Sequence, residues 1–514
     1  MIEHIDERLQ HFNVPDFTRD ACMLKGKLRE QGYDWWWHSL TGVNEATGEE
    51  KAFFNEGILM STESSELKTA PIPRLFWKMA LPAVVAQVIS LLYNIVDRIF
   101  IGHIAGDGTA ALTGVGLFMP ILMLIESFAM LVGSGGAPLA SMQLGREEKE
   151  RAEAILNTSF RLLLIFSIIL TPVFFFFAPQ LLIFFGASSE TLPFALNYAR
   201  IYILGAVTVL FTYGLNTFIS AQGFAATAML STVIGAVINI ALDPVLIFAC
   251  HLGVAGAAIA TVASQAVSAV WILAFLCGRH SGIRIRLHAG KMSGRTIRAI
   301  LSLGASTFVM ISTESLLSMA FNHSLERYGG DMAVGAMTII TSVASLISMP
   351  VNGFAQGAAP IISYNYGAGI NDRVRKTFRL LLATSVIYAG IFWAVIQLAP
   401  GFLAHIFTND SRLIAYTVWA MHIYFAVIIT NGFQTSCQQS FVALGQARIS
   451  LLLALFRKMI LLIPLILLLP HFMSDKVFSV FLAEPICDAS AAAVTTTAFV
   501  LKSRKILSDE VKEA

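Results

Sequence analysis

From Leu75 onward the chain is a succession of apolar runs, each long enough to cross a bilayer. A spanning helix needs about 20 mostly apolar residues. Inside lipid only structures that satisfy their own backbone hydrogen bonds survive. The runs predict helices at 75–102, 110–132, 152–178, 194–220, 225–249, 254–277, 296–322, 332–356, 376–399, 413–441, 449–470 and 475–501. The expected fold class is therefore all-α, a polytopic membrane protein of about twelve transmembrane helices. Prolines fall inside several runs (Pro82, Pro120, Pro172, Pro350 and Pro464), as membrane helices tolerate. Composition agrees. Of 514 residues, 56% are hydrophobic and 13% charged, where soluble domains carry nearer ~25% charge.

Several functions are excluded early. A net charge of +2 gives no footprint for nucleic acid. The five cysteines (Cys22, Cys250, Cys277, Cys437 and Cys487) are scattered without a CxxC, so neither a disulfide framework nor a zinc site is expected. The eleven histidines show no metal spacing, and no HExxH or GxSxG occurs. No phosphate-binding GxxxxGK[ST] run is present, so an ATP-driven pump would need a separate partner; no ATP use and no cofactor are expected. The polar, charged start reads as lacking a signal peptide, which leaves the first membrane helix as the insertion signal.

Residues 1–70 differ in kind from the rest, with many charges and a Trp35-Trp36-Trp37-His38 cluster. They read as a polar cytoplasmic extension, or as an amphipathic clamp on that face. The loops fix orientation. Arg146, Lys149 and Arg151, then Arg279 to Arg298, then Arg373 to Arg379, then Arg448 lie on one side. Positive residues stay inside, so both termini are expected in the cytoplasm.

An internal repeat organises the chain. Ala137-Pro-Leu-Ala-Ser-Met-Gln-Leu-Gly145 aligns with Ala359-Pro-Ile-Ile-Ser-Tyr-Asn-Tyr-Gly367, an offset of 222 (359 − 137). Ala221-Gln-Gly223 and Ala443-Leu-Gly445 share that offset. With six helices in each half, the halves enter from the same side and form a parallel repeat, a common plan of secondary transporters. The expected parts are an N-lobe at 71–278, a basic linker at 279–298, a C-lobe at 299–505 and a polar tail at 506–514.

Polar side chains inside such runs are expensive and mark ion or substrate paths. Asn239 and Asp243 are four residues apart in Gly235–Phe248 and so share one helix face. Asp97 ends another run, and Thr261 sits near the start of a third. Counting rise per residue, Asp97, Asp243 and Thr261 lie roughly 9–12 Å below the outer surface, with Asn239 a turn deeper. Such a layer of oxygens suits a hard cation or a proton.

The run Tyr93-Asn-Ile-Val-Asp-Arg-Ile-Phe-Ile-Gly102, with Leu81-Pro82 before it, resembles helix 1 of the multidrug and toxin extrusion (MATE) family. Asn239-Ile-Ala-Leu-Asp-Pro244 is similar to that family's helix 5, and Thr261 falls at the matching place on helix 6. The likeness covers about residues 71–505. It implies two pseudo-symmetric six-helix lobes around a central cavity, with Asp97, Asn239, Asp243 and Thr261 as the N-lobe cation site. It also implies that Tyr93 and Asn216 line the cavity, and that Glu314 matches a carboxylate of some branches. Those branches use a further aspartate on helix 10, and 413–441 contains none.

The second half departs from the symmetry, since the offset sends Asp97 to Met319 and Asp243 to Leu465. Its membrane charges are Arg457, Lys458, Glu484 and Asp488, at equal depth on adjacent helices. They read as a structural ion pair or as a substrate or coupling carboxylate. Glu126 lies too deep for the outer layer and has no assigned role.

The expected function is a monomeric secondary antiporter of the cytoplasmic membrane, exporting organic cations in exchange for Na⁺ or H⁺. The alternatives are a lipid-linked precursor flippase of the same fold and, behind it, a membrane-embedded enzyme. A flippase needs a strongly cationic cavity, and the membrane runs show little of that. An enzyme needs a catalytic constellation at the membrane interface, and none stands in the sequence.

Overall fold

The structure, a computed structural model, describes residues 41–43, 50–52, 66–104, 108–286 and 292–507. The tryptophan cluster and most of the N-terminal extension lie outside these residues. Residues 1–65 form one unit and 66–514 another. In the first, β1 (Thr41–Val43) and β2 (Glu50–Ala52) pair antiparallel, with Thr41 opposite Ala52.

In the second unit helix follows helix. They are α1 (Ile72–Gly102), α2 (Gly108–Gly145) and α3 (Lys149–Phe184). Next, α4 consists of Leu192–Leu204 and Ala206–Ala221, bent by 58° between them. After it come α5 (Ala225–Pro244, continued by a π-turn at Val245–Ala249) and α6 (Val254–Cys277). Gly294–Gly367 is one helical run of 74 residues broken at Gly330, whose φ of 62° and ψ of −163° suit only glycine. The break divides it into α7 (294–329) and α8 (331–367). Then follow α9 (Asn371–Leu398) and α10 (Ser411–Tyr424 and Thr430–Ala443). The last two are α11 (Ala447–Leu455, a π-turn at Phe456–Leu462, then Ile463–Phe472) and α12 (Lys476–Ile506).

Among the described residues nine helices are long and apolar enough to cross a membrane, or ten with the bent α4 counted as one. The broken run 294–367 is one of the nine but makes two arms, and α10 adds its two short segments. The twelve expected helices are therefore all present. Their outer faces carry bare apolar side chains, such as Phe176, Ile168 and Leu452, as a lipid-facing surface requires. Starts are set by local chemistry. Asp475 caps α12 by accepting from Phe478 N at 2.9 Å, and Asp410 caps α10 by accepting from Arg412 N at 2.9 Å.

Three buried apolar clusters hold the helices together. One belongs to the first half and runs through α2, α3, α4 and α6. A second lies in the outer part of the second half, around Phe321, Phe425 and Phe481. The third is shared. It packs Leu75, Phe76, Met79 and Ala80 of α1 against Phe354, Ile361 and Leu381 of α8 and α9 and Phe441 of α10. The reverse also holds, since Ile300 of α7 is buried in the first half's cluster. Each half therefore begins its first helix inside the core of the other.

These shared contacts crowd toward the end of the bundle that bears the basic loops. Ser141 Oγ donates to Pro360 O at 3.3 Å. Gly145 and Gly367 cross there in a pair that obeys the 222 offset. A Cβ on Gly145 would meet Tyr364 O at 2.0 Å, and one on Gly367 would meet Met142 O at 2.0 Å. Small residues at such a crossing let the backbones touch. The second unit begins at Glu66, ahead of the expected lobe boundary at 71, because Leu67 is fully buried in it. Asn365 Nδ2 and Arg373 donate to Leu67 O at 2.9 and 3.1 Å, and Arg373 also donates to Ala70 O at 2.8 Å. The start of the expected linker is docked as well. Gln222 Oε1 accepts from Ser281 Oγ at 3.1 Å and from Ile283 N at 3.0 Å, and Asn157 Oδ1 accepts from Arg286 N at 2.7 Å.

Candidate functional site: an oxygen cluster between α1, α5 and α6

Two close approaches build the site. A Cβ on Gly235 would lie 2.5 Å from Ser268 Oγ, and one on Gly256 would lie 2.6 Å from Leu246 O. With hydrogen at both places α5 and α6 pack tightly on either side of Asn239. Asn239 Nδ2 then reaches both Asp243 Oδ1 and Thr261 Oγ1, each at 3.4 Å. Thr261 Oγ1 spends its proton on Ala257 O at 3.0 Å, so it faces the cluster as an acceptor. The π-turn follows Asp243-Pro244 directly. Such turns recur at functional sites because they release backbone from its ladder.

α1 closes the cluster by bringing the Asp97 carboxyl within reach of the Asp243 carboxyl. All four residues are buried, Asp243 completely. Three oxygens here, Asp97 Oδ1, Asn239 Oδ1 and Asp243 Oδ2, are buried without a hydrogen-bond partner. Buried polar atoms are nearly always satisfied, so three in one place call for an explanation. Two touching carboxylates cannot both keep their charge unless a proton or a cation lies between them. The donor set is oxygen only, which fits a hard cation or a proton and not a soft metal.

A tyrosine network continues the polar path. The Tyr198 hydroxyl is within reach of Thr261, and Tyr198 stacks on Tyr202 at 6.0 Å between centroids. Tyr213 is within reach of both Tyr93 and Glu126. Glu126, unassigned from sequence, thus joins Tyr93, which sits one turn along α1 from Asp97. Sequence reasoning missed Tyr198, Tyr202 and Tyr213. Their spacing is that of a packed helix face, and only their hydroxyls distinguish them.

Asn216 stands elsewhere. Its amide donates to Ala228 O at 3.2 Å, and its Oδ1 accepts from Ser231 Oγ at 3.2 Å. With Met79, Gln356 and Gly357 it lines a cavity of about 50 Å³ near the basic end. From Ser231 to Asp243 is roughly 18 Å along α5, so the structure does not bring Asn216 to the carboxylates.

The charges of the second half form their own group. Arg457 binds Asp488 at 2.7 Å and lies 3.6 Å from Glu484. Lys458 turns the other way, to Glu314 of α7, and donates to Met310 O at 3.0 Å. Glu314 therefore sits in an ion pair.

Two pseudo-symmetric six-helix halves, exchanged first helices and a buried oxygen cluster define a two-lobe helical membrane transporter. The MatE family model matches the chain twice, at residues 82–245 and 306–468, together more than half of it. The chain belongs to the MATE family, and it is a transporter rather than an enzyme. It is 23% identical over 409 residues to a multidrug export protein, MepA, of Staphylococcus haemolyticus (strain JCSC1435), covering 79% of this chain and 90% of that one. The MepA of Staphylococcus aureus (strain N315) is 22% identical over 440 residues, with 85% and 95% covered. Among solved structures, a multidrug resistance MATE family transporter in an outward-facing conformation superposes with a TM-score of 0.80 at 23% identity, covering 87% of this chain and 98% of that one. A MOP superfamily transporter from Pyrococcus furiosus Vc1 (DSM3638) gives 0.81 at 23% identity, with 87% and 99% covered. At this identity the structures speak to the fold.

Proposed function

We propose that this protein is a secondary antiporter that exports small organic cations and takes up Na⁺ or H⁺ in return. The observation that carries the reading is the cluster of three partnerless buried oxygens on Asp97, Asn239 and Asp243. An incoming ion satisfies them and neutralises the carboxylate pair. The cavity then loses its hold on an organic cation, which leaves. Coupling follows from competition, because each ligand shifts the equilibrium only by its differential affinity for the two states. The relatives named as multidrug export proteins support export as the direction and drugs as the cargo. In this reading the end with the basic loops after α2, α6, α8 and α10 faces the cytoplasm, with both termini, as the positive-inside rule favours, and the chain acts as a monomer in the cytoplasmic membrane.

The test uses purified protein in liposomes loaded with a fluorescent organic cation. Efflux should require an imposed Na⁺ or H⁺ gradient and should stop in Asp243→Asn. That variant keeps size and one acceptor but offers no negative charge. Undiminished gradient-driven efflux by Asp243→Asn removes the cluster from the mechanism.

A further inference from the structure

The basic ends of α9 and α12 meet away from the oxygen cluster. Phe378 of α9 stacks on Phe499 of α12, with centroids 4.2 Å apart, and Phe441 of α10 also packs edge-on against Phe499. Nearer the basic end the two helices are tied again, where Arg375 donates to Leu507 O at 2.7 Å. Around this junction two residue pairs are spaced four apart, Arg375 and Arg379 on α9, Val500 and Arg504 on α12. At about 100° per residue, and with the helices running in opposite directions, both pairs fall on the same flank of the Phe378–Phe499 contact. That flank is open. The three arginines are exposed, and so are Val500 and Leu501, at 44% and 65%.

Positive charge is left over here. Among the described residues neither Arg379 nor Arg504 pairs with a carboxylate, and Arg375 bonds a carbonyl, which leaves its charge uncancelled. Asp372, at the start of α9, is bonded to Lys376 at 2.7 Å. Other basic residues of this end are engaged: Arg151 binds Glu148, Arg286 lies 3.4 Å from Glu153, and Arg373 holds Leu67 and Ala70. Height matters as well. Arg375 and Arg504 stand about 4–8 Å nearer the basic end than the stacked rings, and Arg379, level with the rings, can snorkel the same way. The headgroup zone of one leaflet is roughly 5–7 Å deep. The three guanidinium groups therefore gather within one headgroup layer, above bare valine and leucine.

We propose that this flank is a binding site for an anionic phospholipid. The lipid phosphate lies among Arg375, Arg379 and Arg504, and an acyl chain covers Val500 and Leu501. Guanidinium suits the task, because its fork meets phosphate oxygens two at a time and it is more weakly hydrated than an ammonium. A soluble anion would satisfy the arginines but leave the apolar strip bare. A zwitterionic lipid would cover the strip but bring its own cation to three that have no counterion. The chain itself offers one rival occupant, since Asp509 and Glu510 follow α12 closely in sequence. The site does not depend on what the protein transports.

The test reads bound lipid by native mass spectrometry. Full-length protein, purified in an uncharged detergent, is titrated with phosphatidylglycerol or with phosphatidylcholine of the same acyl chains. Wild type should hold one phosphatidylglycerol about tenfold or more tightly than phosphatidylcholine. Arg379→Gln/Arg504→Gln should weaken phosphatidylglycerol by about fivefold for each arginine lost, with phosphatidylcholine unmoved. Arg375 is left in place because it also holds the end of α12. Arg295→Gln/Arg298→Gln removes the same charge from the start of α7 and should bind as wild type does. Thermal unfolding is recorded for every protein, and if the first double variant does not fold, Arg504→Gln is read against Arg298→Gln. Equal retention of the two lipids by wild type overturns the proposal. So does an equal loss in both double variants, which makes the attraction a property of the whole basic end. Displacement of phosphatidylglycerol by glycerol 3-phosphate at matching concentration overturns it in favour of a soluble phosphate. Phosphatidylglycerol held only by Asp509→Asn/Glu510→Gln, and not by wild type, overturns it in favour of the chain's own tail.

Discussion

Gly367→Ala should open the basic end of the bundle. A methyl group there would sit 2.0 Å from Met142 O, with Met142 C and Cα each at 2.7 Å. Real Cβ contacts essentially never fall below 3.0 Å, so the helices must part by about 1 Å at least. The opposing atoms are backbone, which cannot turn aside as a side chain would. Overpacking of this kind typically costs about 1–3 kcal/mol. That cost falls only on conformations in which α2 and α8 cross closely. A conformation with these ends apart does not bear it, so the equilibrium should move toward it by about 5–150-fold. Gly145→Ala makes the pseudo-symmetric change against Tyr364 O and should act in the same direction. The assay is distance measurement between spin labels at Glu150 and Asp372, in a background with Cys22, Cys250 and Cys277 replaced by serine. Both variants should show a longer population absent from wild type. Distributions identical to wild type, in protein of unchanged thermal stability, would refute the idea that this crossing decides which conformation is populated.

Asp97→Asn should abolish gradient-driven efflux as Asp243→Asn does, while the purified variant unfolds no more readily than wild type; a large drop in melting temperature would reassign Asp97 to a structural role. Arg457→Met leaves Asp488 and Glu484 without their buried partner, and breaking such a pair costs about 3–5 kcal/mol. Thermal unfolding of that variant should fall by many degrees, and an unchanged melting curve would show that the pair holds nothing. Asn216→Ala removes two hydrogen bonds far from the carboxylates and should cost about 1 kcal/mol each with coupling intact. Loss of coupled efflux in a stable Asn216→Ala would bring it into the transport path. Arg373→Ala removes one of the two donors on Leu67 O and the donor on Ala70 O, so limited proteolysis should cut near residue 66 faster than in wild type.

How far the sequence reached depended on what each feature is made of. The twelve spans were legible because lipid demands long apolar runs, and the structure has a helix at each. Hydropathy understated α2, read as 110–132 and found as Gly108–Gly145. Its last turns touch protein, not lipid, so they are built from Gly, Ala and Ser. The repeat was visible as a 222 offset in sequence, and the same offset returns as the Gly145–Gly367 crossing. That Asp97, Asn239, Asp243 and Thr261 meet was readable from depth, because helices convert residue counts into height. Partner choice was not readable where the helix departs from regular geometry. Depth alone put Lys458 among Arg457, Glu484 and Asp488, but a π-turn changes the angular register, and the lysine goes to Glu314. The bend in α4 and the interruption in α10 leave no hydropathy signal either, because a broken apolar helix is as apolar as a continuous one.

The exchange of first helices has a consequence for how the chain is made. Leu75, Phe76 and Met79 leave the ribosome early, but their buried partner Phe354 follows roughly 280 residues later, tens of seconds at ordinary elongation rates. Through that interval the nascent N-terminal half sits in the bilayer with one face of α1 unmated. Lipid is a tolerable stand-in for the missing neighbours, so the intermediate need not aggregate as a water-exposed one would. The two halves nevertheless cannot mature one after the other. Each finishes only when the other supplies its helix, and halves synthesised as separate chains should be stable together and short-lived alone.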